Sequence, residues 1–161
     1  MTLPAPFGDY VGEVLPAWID SNDHMNLAYY IVLFDHGTDA IYDAMGIGVG
    51  YKQKTNCGTF AAESHILYEQ ELLLGDRVKV VSTVVGIDAK RMHLAHEMYR
   101  LSDGKRAACQ EILYLHVDLG RRRVAPWPAD RLAMIQSVAA AHAAARPDWV
   151  GRRISLPAVK G

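Results

Sequence analysis

The 161-residue chain has only two cysteines, no long apolar run and almost no net charge, and each shortage excludes something. Cys57 and Cys109 lie far apart and outside any CxxC spacing, which argues against a secreted disulfide scaffold and leaves reduced thiols in a cytoplasmic protein as the expectation. No stretch approaches the ~20 apolar residues that span a bilayer, and the first ten residues lack the basic flank and apolar run of a signal peptide. A soluble, unprocessed protein without membrane contact is expected. Seventeen Lys and Arg against 18 Asp and Glu leave a formal charge of -1, too little to gather nucleic acid. Neither HExxH nor CxxC occurs, and His93 and His96, three apart on a strand, would point to opposite faces, so no metal and no cofactor are expected.

What is present is the balance of a globular domain, with 50% hydrophobic and 22% charged residues. No repeat or linker divides the chain, so one domain is expected over residues 1–161, its core at about residues 10–120, with a short loose tail at each end. Leu27, Tyr30, Ile31, Phe34, Ile41 and Met45 fall at the three-and-four spacing of one helical face, and Gly46 and Gly48 follow as stops. A helix over residues 26–45 with Asn26 as N-cap is predicted. From Phe60 the period becomes two, with Phe60, Ala62, Ser64, Ile66 and Tyr68 alternating against Ala61, Glu63, His65 and Leu67. Further strands are expected around Val78–Val85 and over residues 91–100 and 106–118, joined by hairpin-like turns at Gly75-Asp76 and at Ser102-Asp103-Gly104-Lys105. Residues 10–18 supply a possible earlier strand, and residues 128–145 a C-terminal helix with Leu132, Ile135, Val138 and Ala139 on one side. Successive antiparallel strands around one long helix make an α+β plan, a curved antiparallel sheet wrapping that helix. Its open edge suggests pairing with a second copy, as a homodimer or homotetramer.

The segment from Trp18 to Tyr30 crowds polar and titratable groups into the loop that feeds the long helix. A helix N-terminus offers unpaired N–H groups and partial positive charge, suited to a carbonyl oxygen that becomes an oxyanion. Asp20, just upstream, has the chemistry of a nucleophile or general base toward that carbonyl carbon. Asp20, Asp23 and Asn26 are equally at home as turn formers and caps.

Asp20-Ser21-Asn22-Asp23-His24-Met25-Asn26, with Tyr29-Tyr30 and Phe34-Asp35 behind it, resembles the Asp-x-x-Gly-His-x-Asn start of hotdog-fold thioesterases of the 4-hydroxybenzoyl-CoA thioesterase group. The likeness continues through Ile66-Leu67-Tyr68, Leu74-Gly75-Asp76 and Asp88-Ala89-Lys90-Arg91. The segments from Phe60 to Ile66 and from Lys90 to Tyr99 are similar to those of betainyl-CoA thioesterases of carnitine degradation. The resemblance implies a hotdog fold and hydrolysis of a short or polar acyl-CoA, betainyl-CoA being the sharpest candidate. It implies that Asp20 attacks the thioester carbonyl or activates water, that the backbone around Leu27 holds the oxyanion, with Asn26 in the catalytic set, and that Lys90 and Arg91 bind the nucleotide end of coenzyme A. Asp23 stands where the family usually has Gly.

An extra acid there could balance a quaternary ammonium, with aromatic faces from Trp18, Tyr29, Tyr30 or Phe60. His24 lies within the same loop as a further substrate contact. Glu63 and His65, two apart on one strand, share a face and could act as a pair on water or on the acyl head, or lie on a polar outer surface. Arg121-Arg122-Arg123 reads as a solvated turn. Two other functions use related parts. A hotdog dehydratase or hydratase of 3-hydroxyacyl thioesters would carry a His-Phe-Pro motif, which is missing, and a non-catalytic acyl-CoA-binding module would use Asp20 only to shape the loop. The thioesterase group with a His-Gly-Gly loop has no tripeptide counterpart here, only the helix acids Asp35 and Asp39.

Overall fold

The computed structural model describes residues 3–156. In chain order it contains β1 (Phe7–Glu13), α1 (Leu27–Ala44), α2 (Val49–Thr55), β2 (Cys57–Tyr68), β3 (Arg77–Ile87), β4 (Arg91–Arg100), β5 (Arg106–Asp118), the two-residue β6 (Arg123–Val124) and α3 (Ala129–His142). The sheet is antiparallel in the order β1-β3-β4-β5-β2, with β6 on β5. It wraps α1, whose Leu33, Phe34 and Ile41 are fully buried at the spacing of one helical face. Gly37 lets that helix approach β3, since a Cβ there would sit 2.5 Å from Val80. The hotdog arrangement expected from the sequence is present, with its long helix and C-terminal helix.

Three expectations need correction. The early strand begins and ends sooner than residues 10–18. It stops at Glu13, and Pro16–Trp18 forms a 3-10 turn in which the Trp18 N–H donates to the Leu15 carbonyl, because Pro16 has no N–H to give a ladder. The strands are also not a plain run of hairpins. β2 pairs with β5 at the sheet's edge, and residues 69–76 cross to the far side of β4 before β3 begins. That crossing is held by Leu72, fully buried, and by the Met25 N–H donating to the Leu72 carbonyl at 2.8 Å. Finally, the alternation of β2 breaks at Ala62. Ala61 pairs with Tyr114 and Glu63 with Leu113, so one residue bulges out. Phe60 therefore shares the outer face with Glu63, His65 and Leu67, while Ala61, Ser64, Ile66 and Tyr68 face α1.

Two features were not foreseen. α2 occupies the Gly-rich stretch, closed by Asn56 in a left-handed conformation at φ 52°. The segment after α3 is not loose throughout. Trp149 is buried against Ala95 and Cys109 on the outer face, and its Nε1–H donates to Glu97 at 3.1 Å.

A polar contact pins helix to sheet inside the core. His96 is fully buried on β4, with Ser82 Oγ 2.8 Å from Nδ1 and Thr38 Oγ1 3.1 Å from Nε2. Thr38 gives its own proton to the Phe34 carbonyl, so His96 donates from Nε2 and accepts from Ser82 at Nδ1, which assigns the neutral tautomer. His93 faces the other way, 3.0 Å from Glu111. Burial pushes the His96 pKa down to about 3 from 6.5, and burial lowers that of His142 on α3 as well. Because the unfolded chain then takes up protons that the folded chain refuses, stability is full above pH 6.5 and falls as pH drops toward 3. Each pH unit within that window costs about 1.4 kcal/mol at His96. Thermal unfolding measured from pH 7 to 4 should show this loss, and a shallower acid limb in His96→Gln checks its source; an unchanged limb would assign it elsewhere.

Candidate active site

The loop of residues 18–26 is closed on itself before α1 starts. The Asn26 N–H donates to the Trp18 carbonyl at 2.9 Å, the Asp20 N–H to the His24 carbonyl at 3.0 Å, and Ile19 bridges Met25. At the apex the Asp23 N–H returns to the Asp20 carbonyl at 3.1 Å, and Asp23 adopts φ 61°. That left-handed backbone is one that Gly enters without cost and Asp tolerates, which explains why the resembled motif prefers Gly there.

The closure aims Asp20. Its Oδ1 accepts from the Asn22 N–H at 2.8 Å, and Asn26 Nδ2 lies 3.5 Å from Oδ2. His24 stands between two carboxylates, Nε2 3.8 Å from Asp20 and Nδ1 3.4 Å from Glu71. The Asn26 side chain meanwhile caps α1 by accepting from the Ala28 N–H at 3.0 Å, and the Tyr29 N–H closes on the Asn26 carbonyl. The Leu27 N–H, first in the helix, is left without an acceptor among the described residues. An unpaired N–H at the positive end of a helix, with a fixed carboxylate lining the same cavity, suits attack on a polarised carbonyl.

Asp20, His24, Leu27 and Tyr30 line one cavity of about 430 Å³. Its far wall is Tyr68 and the crossing segment Glu69, Gln70 and Glu71, which residue types alone did not reveal. Tyr30 is buried, donates to the Gln70 carbonyl at 3.1 Å and meets Tyr68 edge to face at 5.2 Å. Tyr29 stacks on Trp18 at 5.2 Å beside the loop.

The remaining predicted residues lie elsewhere. Asp23 is exposed at the turn apex and does not line the cavity. Glu63 and His65 share the outer face of the sheet, in a separate cavity with His93, Glu111 and Arg152. Phe60 lies at the rim of a third, between β2 and α1, with the Arg122 guanidinium 5.4 Å from its ring. Lys90 and Arg91 enter β4 through a turn capped by Asp88, whose carboxylate accepts both their N–H groups. Arg91 Nε also donates to Asp88 at 2.7 Å, and this pairing holds the Asp88 carboxyl down at about 2. Lys90 makes no ion pair among the described residues and is the freer cation at that bend.

The fold and this loop together describe an acyl-thioester hydrolase scaffold, and similarity to known proteins agrees. Residues 14–141 match the thioesterase-like superfamily, and the chain belongs to it. The chain is 36% identical over 152 residues to a betainyl-CoA thioesterase of Pseudomonas aeruginosa, covering 94% of this chain and 96% of the relative. It is 29% identical to an L-carnitine dehydrogenase/betainyl-CoA thioesterase of Rhizobium meliloti, covering 88% of this chain but 29% of that longer protein. A Staphylococcus aureus protein solved in complex with CoA superposes with a TM-score of 0.80 at 25% identity, over 92% of this chain and 94% of that one. The protein is an acyl-CoA thioesterase.

The loop makes a prediction of its own. Asp23→Gly should leave thermal stability within about 1 kcal/mol and turnover intact, because Gly takes φ 61° without strain, whereas Asp23→Val should lose stability and activity together. Equal tolerance of both would mean that the apex does not hold Asp20.

Proposed function

We propose that the enzyme hydrolyses betainyl-CoA to betaine and coenzyme A, with Asp20 as the attacking or base-acting carboxylate and the Leu27 N–H as oxyanion donor. The observation that carries this reading is the Asp20 carboxylate, fixed by Asn22 and Asn26, which lines one cavity with Leu27, whose N–H is unpaired among the described residues. The likeness to the P. aeruginosa betainyl-CoA thioesterase supports the choice of acyl group.

In the reaction the thioester carbonyl oxygen sits on the Leu27 N–H, and the helix end stabilises the negative charge that develops there. Asp20 either adds to the carbonyl carbon itself or takes a proton from the water that adds. The C–S bond then breaks and the pair of electrons leaves on sulfur; where Asp20 itself has added, water then hydrolyses the mixed anhydride left on it, releasing the acid and restoring the carboxylate. Thiolate is a good leaving group near neutral pH, so neither a metal nor a strong general acid is required at the sulfur. Asn26 holds both the carboxylate and the helix cap, coupling the two halves of the site. His24, tied to Glu71, and Tyr30 shape the wall against which the acyl-CoA lies, while Lys90, with Arg91, attracts the coenzyme's phosphates.

The working form is a homodimer or a tetramer built from it, acting in the cytoplasm, where Cys57 and Cys109 stay reduced. The argument for pairing is the outward edge of β2, flanked by exposed Leu27, Ile31, Val32 and Tyr68, a ladder and an apolar border that a second copy would cover.

Proline offers a test of the oxyanion donor. At the first helical position it removes an N–H without disturbing the helix, and Asn26, at φ -59° and ψ 142°, already has the backbone that precedes proline. Leu27→Pro should keep the fold and lower kcat for betainyl-CoA by roughly 10²–10³, with Leu27→Ala near the parent. Equal activity in both variants would remove the Leu27 N–H from the mechanism.

A further inference from the structure

Glu69, Gln70 and Glu71, the far wall of the Asp20 cavity, are fastened to the first residues of β5. The Glu69 and Gln70 N–H groups both donate to the Ala107 carbonyl, at 2.9 and 3.0 Å. Arg106, its neighbour, takes the Glu69 carboxylate in a two-pronged grip, Nε on Oε2 at 2.7 Å and Nη2 on Oε1 at 2.8 Å. That grip holds the Glu69 carboxyl below the usual carboxylate range.

Arg106 has a third bond. Its Nη1 donates to Glu97 Oε1 on β4, and the same oxygen accepts from the Trp149 Nε1–H at 3.1 Å. Trp149 belongs to a C-terminal turn closed by the Val150 N–H on the Pro147 carbonyl and the Arg152 N–H on the Trp149 carbonyl. The turn is seated on the outer face of the sheet by the Trp149 ring, buried against Ala95 and Cys109, and by the Gly151 N–H, which donates to Glu111 at 2.6 Å. Arg152 brings a second positive charge to bear on Glu69. Two carboxylates and two guanidiniums are then balanced, whereas without the turn Glu69 and Glu97 would share Arg106 alone.

Neither Arg106 nor Trp149 lines the Asp20 cavity, but the groups they fasten do. The Gln70 carbonyl accepts from the Tyr30 hydroxyl, and Glu71 stands 3.4 Å from His24 Nδ1, whose Nε2 is 3.8 Å from Asp20. A wall displaced from Arg106 therefore disturbs the Tyr30 side of the cavity and the neighbour of the attacking carboxylate together. Arginine suits this task because its rigid fork can grip one carboxylate with two N–H groups and still reach a second, which the single ammonium of lysine cannot reproduce.

We propose that Arg106 is a positioning residue of the thioesterase: through Glu69 it sets the wall that faces Asp20, and the C-terminal turn, through Trp149 and Glu97, sets Arg106. The inference rests on the Asp20 cavity as the place of hydrolysis and holds for whichever acyl group is cleaved there. Arg106 and Trp149 take no part in bond making.

The test uses a thioester that the parent hydrolyses, assayed well below the unfolding temperature of every variant. Arg106→Lys keeps the charge and loses the fork, and Trp149→Phe keeps an aromatic ring and removes the N–H. Arg106→Lys and Glu69→Gln should each lower kcat about tenfold, the scale expected when a remote change misplaces reacting groups. Trp149→Phe should lower it about threefold, and should cost nothing further in an Arg106→Lys chain, because one path carries both effects. Hydrogen exchange at the Glu69 and Gln70 amides should quicken in Trp149→Phe. A clamp that serves stability alone would lower Tm and leave kcat and KM of the folded enzyme at parent values, and that result in Arg106→Lys and Glu69→Gln overturns the proposal. Losses that multiply in the double variant, or wall amides that exchange as in the parent, overturn the part assigned to the C-terminal turn. Full thiol release by Asp20→Asn is a separate failure, since it removes the cavity itself from the chemistry whatever Arg106 does.

Discussion

An α-helix leaves its first N–H groups without intrahelical acceptors, and the polarity of this site comes from how α1 disposes of them. Asn26 satisfies the Ala28 N–H with its side chain and the Tyr29 N–H with its carbonyl, leaving the Leu27 N–H open. The same residue reaches toward Asp20 and is itself held by the Trp18 carbonyl. A cap that merely ended the helix would need none of this closure. The loop therefore converts a general property of helices into a donor and a carboxylate fixed relative to each other.

Keeping that helix end in place is the work of the core. Gly37 lets α1 lie against Val80, and the Ser82–His96–Thr38 chain fixes its rotation, since a buried imidazole left without both partners is costly. The crossing segment contributes from the other side. Leu72 anchors it in the core and takes the Met25 N–H on its carbonyl, so the wall of the cavity and the loop bearing Asp20 are tied by one backbone bond.

Much of this could be read from the residues. Apolar spacing located α1 and α3 to within a few positions, and Asn26 was legible as a cap because its side chain can accept an N–H. Asp20 was legible because a carboxylate before a helix start has a chemical use. The bulge at Ala62 was not, since a strand's alternation looks intact until its partner's register is known, and it moved Phe60 onto the face of Glu63 and His65. The crossing from β2 to β3 was hidden for a similar reason. Gly75-Asp76 signals a turn but says nothing about which strands it joins.

The central claim is that Asp20 hydrolyses a cationic acyl-CoA. Release of free thiol from a panel of acyl-CoAs, betainyl-CoA included, by the parent and by Asp20→Asn tests it most directly. The account predicts turnover concentrated on betainyl-CoA and lost in Asp20→Asn while coenzyme A still binds. Undiminished thiol release by Asp20→Asn would contradict it.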